Sequence, residues 1–494
     1  MVVLFLLACA IALVAVWLVD TRFRWQVREH RRSFWRPGRH VTWACTSVLL
    51  VSLVGCSNGT AAQPTQPPLS LTGSASPSPI SASDWPTYHL NNQRTGYRAD
   101  TPDPQHLSQT WTKKLDGAVY AEPLVVGNHV IVATEGDSLY ALDPQTGAVQ
   151  WHTNVGSPVP QSTLPCGDID PLGITGTPVY DPATGLVFAV AEISGPAHLL
   201  VGLDVNGGQV KVRRSADING MDPRAHQERG ALALANGMVY IAYGGLDGDC
   251  SDYIGRVVAS RTDGQGSLIQ YQVPTPREGG IWTPPGPSVD TAGNLYVSVG
   301  NGEVTSGQWD HSDSVLKLSP TLHLLDGFAP TTWGPENASD ADLGSQGPVL
   351  LANQFVFIAG KSGKGYSLRA NALGGVGGQA DAQNVCHSYG GAATVGSTAY
   401  IPCTDGIRQI TIDNNGQIHQ GWHTSAVQVD ASPVIGGHTL YCIARTTLDA
   451  LNIENGQLVA SIAIGSASRF ATPTISGSRI FVGTMTGITA IQIA

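Results

Sequence analysis

The chain has 494 residues, with 27 Lys and Arg against 37 Asp and Glu, a formal net charge of −10, only 13% charged residues, 58 Gly and 31 Pro. Residues 1–55 hold seven arginines and two acids, so the remainder carries 20 basic and 35 acidic residues, a net of −15, which excludes a nucleic-acid-binding surface. Many turn formers and few charges exclude a helical bundle and favour a large β-protein.

Residues 1–20 begin with an apolar run, Val2 to Val19, that reaches Asp20 without a charge. It is about long enough to cross a bilayer and reads as a possible first transmembrane segment. Residues 21–56 repeat the order of a secretory signal: arginines from Arg22 to Arg39, an apolar run from Val41, then small Gly55 before Cys56. Leu53-Val54-Gly55-Cys56 resembles the cleavage box of bacterial lipoproteins, and the resemblance implies acyl chains on Cys56 and stable attachment through more than one chain. The alternative is a transmembrane hairpin with Cys56 in its second span. Both readings keep the arginines cytoplasmic and export everything from residue 57. Residues 57–83 have no charge before Asp84 and are rich in Ser, Pro and Thr, the composition of a flexible tether.

From residue 121 to the end one phrase recurs, in a propeller expected to span residues 84–494. It reads EPLVVGNHVIVATEGDSLYALDPQTGAVQW near residue 122, GALALANGMVYIAYGG near 230, and ATPTISGSRIFVGTMTGITAIQIA at the end. Each unit gives a small-Pro start, a β-branched run, a Gly or Asn turn, an alternating run, a second turn and a third run, which is the pattern of antiparallel hairpins. Eight such units at ~40–50-residue spacing specify propeller blades. The last unit lacks a fourth strand, and LSQTWTKKLDG (107–117) supplies it, with Trp111 in the place of Trp151. The expected fold is all-β: an eight-bladed β-propeller of four-stranded antiparallel blades, closed by an N-terminal strand. An outer-strand Trp covers the seam between blades, and Val212 and Ala460 replace it in two of them.

Five cysteines follow Cys56. Cys386 and Cys403 bracket one predicted hairpin and are expected to pair, Cys166 pairs with Cys250, and Cys442 stays free. The alternative is five buried apolar thiols. No CxxC occurs, so no zinc site is indicated.

Ser138-Leu139-Tyr140-Ala141-Leu142-Asp143 and Thr146-Gly147 ahead of Trp151 resemble the PQQ-like repeat of quinoprotein alcohol dehydrogenase-type propellers, and DWPTYHLNNQRTGY (84–97) is similar to their lead-in. The resemblance implies the fold. A dehydrogenase of that type would also imply an Asp base beside the quinone, oxygen ligands on calcium, an aromatic floor and, in many members, adjacent cysteines. No Cys-Cys pair exists here, and no segment aligns to a base and calcium set. The expectation is therefore a module without catalytic residues or cofactor, with PQQ and calcium required only by the alternative, a dehydrogenase of alcohols or sugars. With its anchor the chain also resembles the propeller lipoprotein of the outer-membrane β-barrel assembly machinery, a scaffold. It departs from that protein by its first apolar segment, insertions around 160–172 and 244–255, and a long 301–345 region.

Residues entering the innermost strands converge on a propeller's axis. By repeat register these are Glu122, Arg229, Trp282, Asp342, Gln346, Asp430 and Arg469. They suit a small polar or sugar-like ligand, or form a hydrated ring of ion pairs. Asp310-His311-Ser312-Asp313 has metal-capable side chains but reads equally as a solvated turn, and Gly360 to Gly365 contains a GKS that joins two strands as a hairpin turn. The functional expectation is an exported, membrane-anchored binding or scaffold module, a monomer. Its partner is a cell-envelope protein or an extracellular small ligand, with no nucleic acid involved.

Overall fold

The computed structural model describes residues 80–427 and 431–494. The possible transmembrane segment, the lipobox with Cys56 and nearly all of the tether lie outside the described residues, as does Asp430. Among the described residues no helix is long and apolar enough to cross a membrane.

Eight antiparallel sheets form the blades of a propeller. In chain order their innermost strands are Leu124–Val126, Val179–Asp181, Ala233–Ala235, Ser288–Val289, Val349–Leu350, Ala393–Val395, Val434–Gly436 and Thr474–Ser476, which define blades 1 to 8. In blade 1 the order continues outward through His129–Thr134, Ser138–Leu142 and Val149–Asn154. Leu107–Lys114 pairs with Gly487–Ile493 as the outermost strand of blade 8, so the expected closure is present.

The alternation within each blade explains its packing. Along His129–Thr134, Val130 and Val132 enter a core shared with blades 7 and 8, containing Tyr441 and Phe481. Ile131 and Ala133 enter the core shared with blade 2, containing Tyr180 and Val187. A middle strand is thus buried on both faces and reads as a continuous apolar run, whereas the outermost strand Val149–Asn154 alternates and buries only Trp151 fully. The seams repeat one contact. The Trp151 indole donates to Val205 O of blade 2 at 2.8 Å, Trp111 of blade 8 to Pro144 O of blade 1 at 3.2 Å, and Trp422 of blade 6 to Ile453 O of blade 7 at 2.8 Å.

Both expected disulfides form, Cys166–Cys250 and Cys386–Cys403, and Cys442 is free and buried. One detail differs. Cys386 follows the outermost strand of blade 5, Asp381–Asn384, and Cys403 ends the second strand of blade 6, Thr398–Cys403. The bond therefore staples two blades across their crossover instead of closing one hairpin. The 301–345 region also contains a seven-residue helix, Trp333–Ser339, too short to leave a helical period in the sequence.

The lead-in has a role that periodicity does not show. Residues 83–98 run inside the ring and bond to the inner elements of seven blades in circular order. Ser476 Oγ of blade 8 donates to Ser83 O at 2.9 Å, Trp85 and Val125 of blade 1 exchange both backbone bonds, and Tyr180 N of blade 2 donates to Pro86 O at 2.8 Å. Asn92 donates to Leu234 O of blade 3 at 2.9 Å and accepts from Val289 N of blade 4 at 2.8 Å. Thr394 N of blade 6 then donates to Thr95 O at 2.8 Å, and Tyr97–Arg98 pairs in parallel with Ile435 and Gly436 of blade 7. The unpaired inner edges are thereby covered.

Candidate functional site

The two faces of the disk differ. The plugged face carries the turns between first and second strands. On the other face, the crossovers between blades and the turns between second and third strands surround a cavity of about 490 Å3. Beneath Phe470 only a gap of about 10 Å3 remains between Tyr88, Glu122 and Arg229, room for about one water. The cavity is a cup with one mouth.

Four expected residues meet in it: Arg229, Trp282, Asp342 and Arg469. Arg229 comes from the crossover into blade 3, Trp282 from that into blade 4, and Asp342 from that into blade 5. Asp340, left-handed at φ 54°, ends the helix Trp333–Ser339 and turns the chain toward the cup. Asp342 is buried; its Oδ1 accepts from Asn301 N at 2.6 Å and its Oδ2 pairs with Lys361 Nζ at 2.8 Å. Burial raises the Asp342 carboxyl, while Lys361 and the backbone bond pull against that rise. Burial opposes the charge on Lys361, yet Asp342 and Asp340, the latter 2.6 Å away, hold its pKa above the ordinary value.

Arg229 and Arg469 behave differently. Their guanidinium carbons lie 5.0 and 4.9 Å from the Phe470 ring centroid, and that of Arg469 also lies 5.2 Å from Tyr389, cation–π distances. Among the described residues neither has a carboxylate within 4.0 Å or a hydrogen-bond acceptor in reach. Burial lowers the pKa of Arg229; the nearby Asp168 opposes the shift and the charge of Arg469 adds to it.

Two expected residues do not face the cup, and both serve the chain itself. Glu122 lies below it, fully engaged by the lead-in: Trp85 Nε1 donates to Oε1 and His89 N to Oε2, both at 2.8 Å. Gln346 is buried, donating to Ser388 Oγ and accepting from Ala359 N, both at 2.8 Å. Asp430 lies outside the described residues. Other lining residues were not among those expected, Lys361, Tyr389 and Phe470 with them. Lys361 sits in the GKS hairpin turn, and Tyr389 and Phe470 lie in crossovers, where no period marks them. In the Asp310–Asp313 turn, Ser312 Oγ donates to Asp310 Oδ1 and Asp313 accepts from Leu343 N at 2.6 Å.

The rim is built by the insertions. The Cys166–Cys250 bond ties them over a small cluster of Val159, Ile169, Leu172 and Leu246, which fixes Asp168 and the Leu246–Asp249 turn at the mouth.

The profile of a family described as outer membrane protein assembly factor BamB matches residues 103–371, more than half of the chain. The chain belongs to this family of PQQ-like propellers. No curated protein matches the sequence. Among solved structures, this PQQ-like propeller is similar to quinohemoprotein alcohol dehydrogenase ADHIIG from Pseudomonas putida HK5 (TM-score 0.64, 13% identity, covering 83% of this chain and 80% of that one). A europium-containing methanol dehydrogenase gives 0.64, 16%, 83% and 91%, and BamB from Moraxella catarrhalis 0.54, 13%, 78% and 100%. At these identities the likeness shows the fold.

The residues present fit a PQQ and calcium site poorly. Calcium takes six to eight oxygen ligands, but among the described residues no group of three or more His, Cys, Asp or Glu side chains could hold a metal ion. Asp342, the buried carboxylate in the cup lining, is paired with Lys361.

Proposed function

We propose that the protein is an exported binding module of the cell envelope, anchored through Cys56, that holds a small extracellular ligand in the one-mouthed cup. The observation that supports this reading most is the pair Arg229 and Arg469, two cations at the bottom of a cavity without an acceptor among the described residues. Arg229 is half-buried and gains from a ligand that supplies the acceptor it lacks, Arg469 is open to the same ligand, and a cavity of ~300–1,000 Å3 with aromatic walls is the usual form of a small-molecule site. The family match, whose description names an envelope assembly factor, favours the envelope as the setting.

The test is capture. The full chain in detergent and its Arg229→Gln/Arg469→Gln variant are incubated with envelope extract, and bound small molecules are identified by mass spectrometry. A compound retained by the wild type and absent from the variant is expected; identical retention would overturn the reading. The anchor is tested separately, since Cys56→Ala should abolish labelling by a clickable fatty acid.

The likeness to quinoprotein dehydrogenases favours a second reading, a PQQ-dependent dehydrogenase of alcohols or sugars. It requires PQQ with calcium to raise the melting temperature in a concentration-dependent way, the native state gaining ~2.7 kcal/mol at a hundred times the dissociation constant.

A further inference from the structure

The lining of the cup carries charges of both signs. Arg229 and Arg469 lie against Phe470, and Asp168, Asp247, Asp249 and Asp340 line the same cup, Asp168 near enough to Arg229 to act on its charge; Lys361 pairs with Asp340 and Asp342. A ligand filling this space meets two arginine donors without protein acceptors and several carboxylate acceptors. Trp282 and Tyr389 flank Phe470 at centroid separations of 6.4 and 6.3 Å, with Lys361 and Arg469 at 5.8 and 5.2 Å from their respective centroids, so flat rings and cations alternate along the wall.

The freedom of the two arginines is specific to the site. Elsewhere Arg94 donates to Thr87, Tyr88 O and Leu232 O, Arg256 to Gln270, and Arg277 pairs with Glu278 at 2.8 Å. Arg469 is exposed to the cup and Arg229 half-buried beside it, the arrangement of donors awaiting a planar anion.

Resting on the reading of the cup as a ligand site, we propose that its ligand is an acidic saccharide of the hexuronate class. The carboxylate accepts from Arg229 and Arg469. A pyranose ring presents its C–H face to Trp282 or Tyr389, and its hydroxyls donate to the rim carboxylates. Each part of the lining excludes an alternative. A neutral sugar leaves the arginines unpaired; a polycarboxylate such as PQQ sets its further anions against the aspartates of the mouth, where like charges repel.

The experiment is titration of the full chain in detergent, by calorimetry and thermal unfolding, with disaccharides that join one D-galacturonate or D-glucuronate to one neutral sugar and so carry a single carboxylate, with the neutral galactose and glucose oligomers of equal length, and with PQQ. Acidic oligomers are expected to bind and to raise the melting temperature, with neutral ones at least tenfold weaker. Arg469→Gln, a substitution at an exposed side chain and so compatible with folding, is expected to reduce uronate affinity at least tenfold. Equal affinity for acidic and neutral oligomers, binding of PQQ with no response to uronates, or unchanged uronate affinity in Arg469→Gln would each overturn the proposal. If no probe binds while extract still yields a compound lost in the double variant, the saccharide class falls and the ligand site stands. If neither is seen, both fall.

Discussion

Asp137 shows at a single residue what the turns of this fold tolerate. It occupies the left-handed region at φ 56°, is wholly buried, and neither carboxylate oxygen has a partner among the described residues. Burial, then the neighbouring Glu135 and Asp116, push its pKa up to about 8; burial likewise lifts Glu135 to about 7 against its bonds from Gly173 and Thr175. A carboxyl whose folded pKa exceeds its unfolded value favours folding in its protonated form. Its contribution is complete below the unfolded value near ~4 and is lost as pH rises through the folded one. Asparagine keeps the shape, tolerates the left-handed conformation and cannot ionise. Asp137→Asn is therefore expected to stabilise by about 1–3 kcal/mol at pH 9, where it removes a buried charge, and to lose most of that advantage by pH 5. Melting temperatures of both proteins across pH 5–9 decide it, and a gain that does not depend on pH would refute the assignment.

At the level of elements, the seams hold neighbouring blades together by a contact that the sequence displays only in part. Gly208, at φ 69°, lets the blade 2 turn lie against the Trp151 ring; a Cβ there would stand 2.6 Å from Cε3. Trp151 is 8% exposed and its indole bonds Val205 O. Trp151→Ala is expected to cost about 3–5 kcal/mol, Trp151→Phe about 0.5–1.5 kcal/mol for the lost donor, and Gly208→Ala more than about 1 kcal/mol because its backbone cannot follow. Denaturant midpoints rank the three, and an effect of Phe as large as that of Ala would show that the hydrogen bond, not the area, dominates. Such seams were legible because Trp and the Gly of the next turn recur at fixed spacing. Strand entries were legible for the same reason, which is how Arg229, Trp282, Asp342 and Arg469 could be read from register. Tyr389 and Phe470 were not, since crossovers obey no period. Glu122 misled because its register matches the others and only the path of a non-repeating segment takes it out of the cup.

Across the whole molecule, that non-repeating segment makes one object of eight blades. A ring in which each blade touches only its neighbours is held by local seams and can open at its weakest one. Here residues 83–98 bond seven blades before the chain enters its first, and Leu107–Lys114 then completes the eighth, so the same stretch both laces the axis and closes the circle. Arg94 fastens the lacing: at φ 60° it turns inward, donating to Thr87 and Tyr88 O within the segment and to Leu232 O of blade 3, although burial lowers its pKa to about 10. Arg94→Met strands three acceptors while retaining much of the side-chain volume, and is expected to cost about 1–3 kcal/mol. The effect should reach far from position 94. Amide protection is expected to fall together at Tyr180, Val289, Thr394 and Ile435, in blades 2, 4, 6 and 7, because their donors all end on the same segment. Calorimetry should find one unfolding transition in the wild type, and more than one once residues 84–98 are deleted. Exchange that rises only in blade 3, or a deletion that still melts as a single transition, would mean that the seams alone make the propeller cooperative and that the lacing merely fills the channel.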